Sequence, residues 1–113
     1  MENQLQLNED RKASLAKFME AAPEFSAAAA GMTQIAYKDG ALSTKVKRLA
    51  ALAVALKAGC SNCALHQTES ALEEGATKEE ILEIIQVVFS IAGTSGLAES
   101  YRVIKFLDEL GKW

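Results

Sequence analysis

Apolar positions recur along this chain at helical spacing, and no stretch alternates apolar and polar residues convincingly enough to be a strand. Residues 1–8 are polar and are expected to be flexible and frayed. Asn8 or Asp10 can cap a first helix that runs to about Ala22, with Leu15, Phe18 and Met19 at helical spacing. Pro23 stops that helix and suits the first position of a second, where its missing N–H and fixed φ cost nothing. The second helix extends to Tyr37, sets Phe25, Ala28, Ala29, Met32, Ile35 and Ala36 on one face, and ends at the Asp39-Gly40 turn. The alanines at 27–30 permit close helix packing, and they equally express plain helix propensity.

Ser43 or Thr44 opens a third helix whose positions from Leu49 to Leu56 are all apolar. No face is left for water, so this helix is expected to be buried on all sides. Gly59 suits its C-terminal stop, and a helix carrying both cysteines follows to about Glu74. Gly75 then ends one helix and Thr77 caps the next, since Thr77-Lys-Glu-Glu80 fits a capping box. The fifth helix runs from Lys78 to about Ala92 and is apolar apart from Glu83, Gln86 and Ser90. Gly93-Thr-Ser-Gly96 breaks it, and a last helix from Leu97 to about Leu110 turns Tyr101, Val103, Ile104 and Leu107 inward. The fold class is all-α, a bundle of about six helices forming a single domain over residues 1–113. Two helices that are nearly apolar all round are hard to cover with four others, which predicts a homo-oligomer.

Composition narrows the function. A net charge of −3 and an acidic pI of 5.2 argue against nucleic acid as a partner. The longest strongly apolar run, Leu49 to Leu56, is too short to span a bilayer, so no membrane partner is expected. The N-terminus Met-Glu-Asn-Gln-Leu has neither the charge nor the apolar core of a signal peptide, and a cytoplasmic location is expected. In that reducing compartment a permanent structural disulfide is disfavoured, so a close cysteine pair points to redox or metal chemistry.

Such a pair lies in Lys57 to Gln67, Lys-Ala-Gly-Cys-Ser-Asn-Cys-Ala-Leu-His-Gln, which holds Cys60, Cys63 and the only histidine, His66. Two cysteines separated by two residues can close a small disulfide loop in one helical turn. At a helix N-terminus the free N–H groups and the dipole favour the thiolate, and motifs of this kind lower a thiol pKa from ~8.5 to as little as ~3.5. By position Cys60 is expected to be the more exposed thiol and the nucleophile. The pair can equally be inert core cysteines, or bind zinc with His66 and a fourth ligand that no second cysteine pair supplies, so no metal or other cofactor is assigned. His66 lies three residues after Cys63, near enough on one helix to exchange a proton with it. Glu69, Glu73 and Glu74 are most simply a solvated face, and Arg48 a solvated cation at a helix start.

The order of a capped apolar helix, Gly-Cys-x-x-Cys, a histidine and then Ala-Leu-Glu-Glu-Gly-Ala-Thr-Lys-Glu-Glu-Ile resembles the carboxymuconolactone decarboxylase family and its AhpD-like alkylhydroperoxidase branch. The similarity covers roughly Leu42 to Leu110. The resemblance implies an all-helical subunit that assembles into trimers or hexamers. It also implies a thiol peroxidase or disulfide reductase cycle in which Cys63 meets the peroxide and Cys60 closes the disulfide, against the order that exposure alone suggests. Two positions depart from the AhpD-like pattern. A glutamate twelve residues before the first cysteine is Arg48 here, and a histidine four residues after the second is Gln67, with His66 one residue early. The usual proton relay is therefore not intact.

Three functions are compatible with these residues. The first is a thiol-dependent peroxidase or disulfide oxidoreductase acting on a hydroperoxide or disulfide, with a thiol reductant as electron donor. The second is a lactone decarboxylase in which Arg48 binds a carboxylate and His66 moves protons. The third is a non-enzymatic helical oligomer whose cysteines sense oxidation.

Overall fold

Ser43 caps the third helix of the chain, its side chain accepting the Val46 N–H at 3.2 Å, and beyond Arg48 the helix is apolar from Leu49 to Leu56, before Lys57 and the Gly59 stop. In the computed structural model, which describes residues 1–113, this is α3 (Thr44–Ala58), and around it stand α1 (Gln4–Ala21), α2 (Pro23–Tyr37), α4 (Ser61–Glu73), α5 (Lys78–Ala92) and α6 (Thr94–Glu109). No strand is present, and α3 packs against α4, α5 and α6. The core is built from Leu49, Leu52 and Leu56 of α3, Ala64 and Ala71 of α4, Ile81, Ile85 and Val88 of α5, and Val103 and Leu107 of α6.

Helix ends are set by local chemistry wherever the sequence carries a cap. Gly59 takes the left-handed conformation at φ 71°; its N–H reaches Leu56 O, and the Cys60 N–H reaches Ala55 O at 3.0 Å, closing α3 in a Schellman motif. Thr77 and Glu80 form the reciprocal capping box at the start of α5, with N···O distances of 3.1 and 2.9 Å. Gly93, at φ 65°, breaks α5 from α6 unaided. Gly96 does not take part in the break. It lies buried in the first turn of α6, where a Cβ would come within 2.6 Å of Val88 Cγ1, so its role is close approach of α6 to α5. In α6 Val103 and Leu107 are buried as expected and Ile104 packs against the core, while Phe106 is buried with them and Tyr101, expected inward, is exposed.

The expected flexible start at residues 1–8 is helical instead, from Gln4 onward, and Gln4 and Asn8 are fully buried. Asn3 caps this helix by accepting the Gln6 N–H at 2.7 Å. The carboxylate of Glu109, at the far end of the chain, accepts the N–H groups of Gln4 at 2.8 Å and Leu5 at 2.9 Å. Asn8 donates to Glu69 at 2.9 Å, and Lys12 pairs with the same oxygen at 2.9 Å. The anchors of α1 are polar and distant in sequence, so hydrophobic spacing places the start of the helix too late. Glu69 is accordingly an anchor for α1 and not part of a solvated face.

Within the chain α3 is not buried on all sides, because Val54 is 69% exposed, and α2 buries no residue at all, with Met32 69% and Ile35 68% exposed. On α5, Ile91 is 81% exposed. Replacing Glu109 by Ala removes two charge-assisted bonds from the start of α1. It should lower unfolding free energy by about 1–2 kcal/mol in urea titrations and speed hydrogen exchange at the Leu5 amide.

Candidate functional site

The turn that ends α3 also begins α4. Because Gly59 and Cys60 return their N–H groups to α3, Cys60 leaves the turn in an extended conformation and becomes the N-cap of α4, its sulfur accepting the Cys63 N–H at 3.2 Å. One helical turn on, Cys63 stands 5.2 Å away between Cα atoms, and the two sulfurs are joined as a disulfide. Cys63 is exposed and Cys60 half-buried, the reverse of the order expected from position, because the N-cap tucks back against α3 while Cys63 lies on the outer face of α4. Ser61 fixes the start of α4 by donating to Glu99 of α6 at 2.7 Å.

Both sulfurs line an apolar pocket of about 370 Å³ whose other walls are Tyr37, Ala51, Val54, Ala55, Ala58 and Gln67. The alanines of α3 leave the space; larger side chains there would fill it. Tyr37 arrives from the end of α2, held by the Thr44 hydroxyl donating to its carbonyl at 2.6 Å, while Asp39 caps the Thr44 N–H at 2.8 Å. The Thr44 N–H, with the Thr44 hydroxyl 3.1 Å from the same carboxylate oxygen, holds the Asp39 carboxyl below its usual range.

Arg48 is not a solvated cation. Its guanidinium carbon lies 3.7 Å from the centroid of the Tyr37 ring, and Nη1 donates to Gln67 Oε1 at 3.2 Å. The two positions that depart from the AhpD-like pattern therefore meet each other, against two residues of the disulfide pocket. A carboxylate and an imidazole could pass a proton; a guanidinium and an amide cannot at neutral pH. The guanidinium instead sets a fixed positive charge against Tyr37 and Gln67, two residues of the pocket wall.

His66 does not line that pocket. It faces a separate groove of about 380 Å³ between α1 and α2, beside Phe18, Met19, Ser26, Ala29, Thr33 and Gln34. No hydrogen bond joins it to Arg48, so the pair proposed for decarboxylation is split between two surfaces. Burial, followed by the positive charges of Arg11 and Arg48, lowers its pKa below the ordinary 6.5, with Glu69 opposing them. Tyr37 is a site residue that sequence patterning does not single out, since its part depends on the turn between α2 and α3.

Residues 23–106 match the model of the carboxymuconolactone decarboxylase family. An uncharacterised protein of Cupriavidus necator is 32% identical over 91 residues, 80% of each chain. One from the cox locus of Paracoccus denitrificans is 33% identical over 79 residues, 70% of this chain and 71% of that one. A carboxymuconolactone decarboxylase family protein of Legionella pneumophila superimposes with a TM-score of 0.90 at 28% identity, over 99% of this chain and all of that one. A Thermotoga maritima family member, described in connection with an antioxidative response, superimposes with a TM-score of 0.79 over 92% of this chain and 89% of its own. At 22% identity that likeness shows the fold alone.

The lowered pKa of His66 sets a pH dependence. Above about pH 6.5 both folded and unfolded chains hold the imidazole neutral; as pH falls through that value the unfolded chain takes up a proton that the folded chain resists, and stability is lost. In thermal melts between pH 7.5 and 5.5, His66→Gln should flatten this part of the decline, by at most about 1.4 kcal/mol per pH unit.

Proposed function

The chain belongs to the carboxymuconolactone decarboxylase family, and we propose that within it the protein is a thiol-dependent peroxidase or disulfide oxidoreductase working through Cys60 and Cys63. The observation that carries this reading is the joined cysteine pair at the N-terminus of α4, with Cys63 exposed and both sulfurs opening on an apolar pocket. A structural staple would gain little here, since a disulfide closing so short a loop removes little entropy from the unfolded chain.

In the reduced protein the Cys63 thiolate attacks the terminal oxygen of a hydroperoxide. The S–O bond forms, the O–O bond breaks, and the alkoxide leaves as an alcohol after taking a proton from water, because Arg48 and Gln67 supply no relay. The Cys60 sulfur then attacks Cys63; the S–S bond forms, the S–O bond breaks, and hydroxide departs as water with the Cys60 proton. Two molecules of a thiol donor return two electrons and two protons and become a disulfide. With a disulfide substrate the same dithiol attacks an S–S bond directly, passing through a mixed disulfide that Cys60 resolves.

Peroxide-dependent oxidation of a thiol donor should disappear in Cys63→Ser, while Cys60→Ser should stop at a sulfenic acid or mixed disulfide visible by mass spectrometry. Undiminished turnover in Cys63→Ser would overturn the reading.

The working form is a homo-oligomer. Its support is the apolar surface left uncovered in one subunit, Phe25, Met32 and Ile35 of α2 with Val54 of α3 and Ile91 of α5, which is more than a stable monomer ordinarily shows to water. Light scattering should give a multiple of the 12.1 kDa chain mass, and the paired change Met32→Glu with Ile35→Glu should shift it towards the monomer. A monomeric wild-type protein would contradict this.

A further inference from the structure

Arg48 is the one arginine of the chain's three that has no carboxylate partner. Arg11 lies 4.0 Å from Glu69, and Arg102 pairs with Glu2 at 2.8 Å and approaches Glu99 at 3.8 Å. Arg48 is half-buried, yet its only side-chain hydrogen bond goes to the neutral amide of Gln67, and the remaining donors of its fork are unused. A partly desolvated cation without a counter-charge is costly to the fold, and its position is nonetheless firmly set by the Tyr37 ring on one side and Gln67 on another. Both of those residues line the pocket that contains the sulfurs, whose other walls are alanine and valine.

The combination is a planar cation held against two wall residues of an apolar pocket that the cysteine pair also lines. From it we infer that Arg48 recognises a carboxylate on the molecule that meets Cys60 and Cys63. The preferred oxidant is then a small organic hydroperoxide or disulfide with an apolar body and a carboxylate. The identification of the molecule as an oxidant rests on the thiol–disulfide reading above; the carboxylate site itself does not. At about 370 Å³ the pocket lies at the lower end of small-molecule sites, which suits a body of one ring or a short alkyl chain. Guanidinium pairs bidentately with carboxylate, and a bond of this kind discriminates strongly against an uncharged analogue of the same shape. Arg48 is thus a specificity residue, and Tyr37 and Gln67 position it.

Calorimetric titration of the oxidised wild-type protein with 4-isopropylbenzoate and 4-isopropylbenzamide tests the site without any turnover. The benzoate should bind roughly tenfold to a hundredfold more tightly than the benzamide. Arg48→Gln should erase the difference, and Arg48→Lys, which keeps the charge but loses the fork, should retain part of it; thermal melts check that both variants are folded. Equal binding of the two probes, binding of neither, or a preference that survives in Arg48→Gln would overturn the inference. Oxidation of the reduced protein in single turnovers then identifies the source. One arm compares 4-(2-hydroperoxypropan-2-yl)benzoate with cumene hydroperoxide, the other 4,4′-dithiodibutyrate with its dimethyl ester. A charged probe that outpaces its neutral counterpart about tenfold in one arm assigns the oxidant to that class. Equal rates for charged and neutral probes in both arms leave the thiol–disulfide reading standing and remove this one. Arg48-dependent benzoate binding with no oxidation by any probe does the reverse.

Discussion

Two hydrogen bonds from Gly59 and Cys60 back to α3 decide most of what this protein can do. The left-handed glycine reverses the chain tightly enough that the next residue starts a new helix at once, and that residue is a cysteine. Its sulfur takes the place a serine or aspartate oxygen would have at an N-cap, and the partner sulfur is one turn further along. The same reversal lays α4 along α3, so both cysteines line a pocket walled by the small side chains of Ala51, Ala55 and Ala58, with Cys63 still exposed. In this way α3 serves twice: Leu49, Leu52 and Leu56 fill the core, and the alanine side leaves room at the sulfurs.

The charge of the site follows from a pair of positions and not from either alone. Positions 48 and 67 come from different helices and touch through a hydrogen bond, so a change at one alters the surroundings of the other. Arginine at 48 opposite histidine at 67 would tend to set two positive charges together at low pH; glutamine accepts from the guanidinium without that cost. The result exchanges a group that can shuttle protons for one that cannot, and replaces a negative charge by a positive one.

Much of the fold was legible because its punctuation is local. Pro23, Ser43, Gly59, Gly75, Thr77 and Gly93 act within a few residues of themselves, and α2, α3 and α5 start and stop where those residues place them. What depended on distant partners was not legible. The start of α1 needs Glu109, the role of Glu69 needs Asn8 and Lys12, and Gly96 reads as a breaker until Val88 is seen pressed against it. At the site, the cysteine spacing and the two departures at 48 and 67 were visible in the sequence. That Arg48 and Gln67 meet, with Tyr37 beneath the guanidinium, required the packing of α2 and α4 against α3.

The histidine makes the limits of sequence spacing concrete. Adjacent residues on an α-helix point about 100° apart, so a shift of one position cannot be recovered by choosing another rotamer. Gln67 faces the sulfur pocket, and His66, its immediate neighbour, faces the groove between α1 and α2 on another side of α4. Three residues from Cys63 sounds close, and along the helix it is. The chemistry depends on the angle around the axis, which puts the amide beside the arginine and the imidazole beside Phe18 and Ser26. His66 and the two cysteines therefore line different surfaces of α4, whereas Arg48 touches Tyr37 and Gln67 of the sulfur pocket.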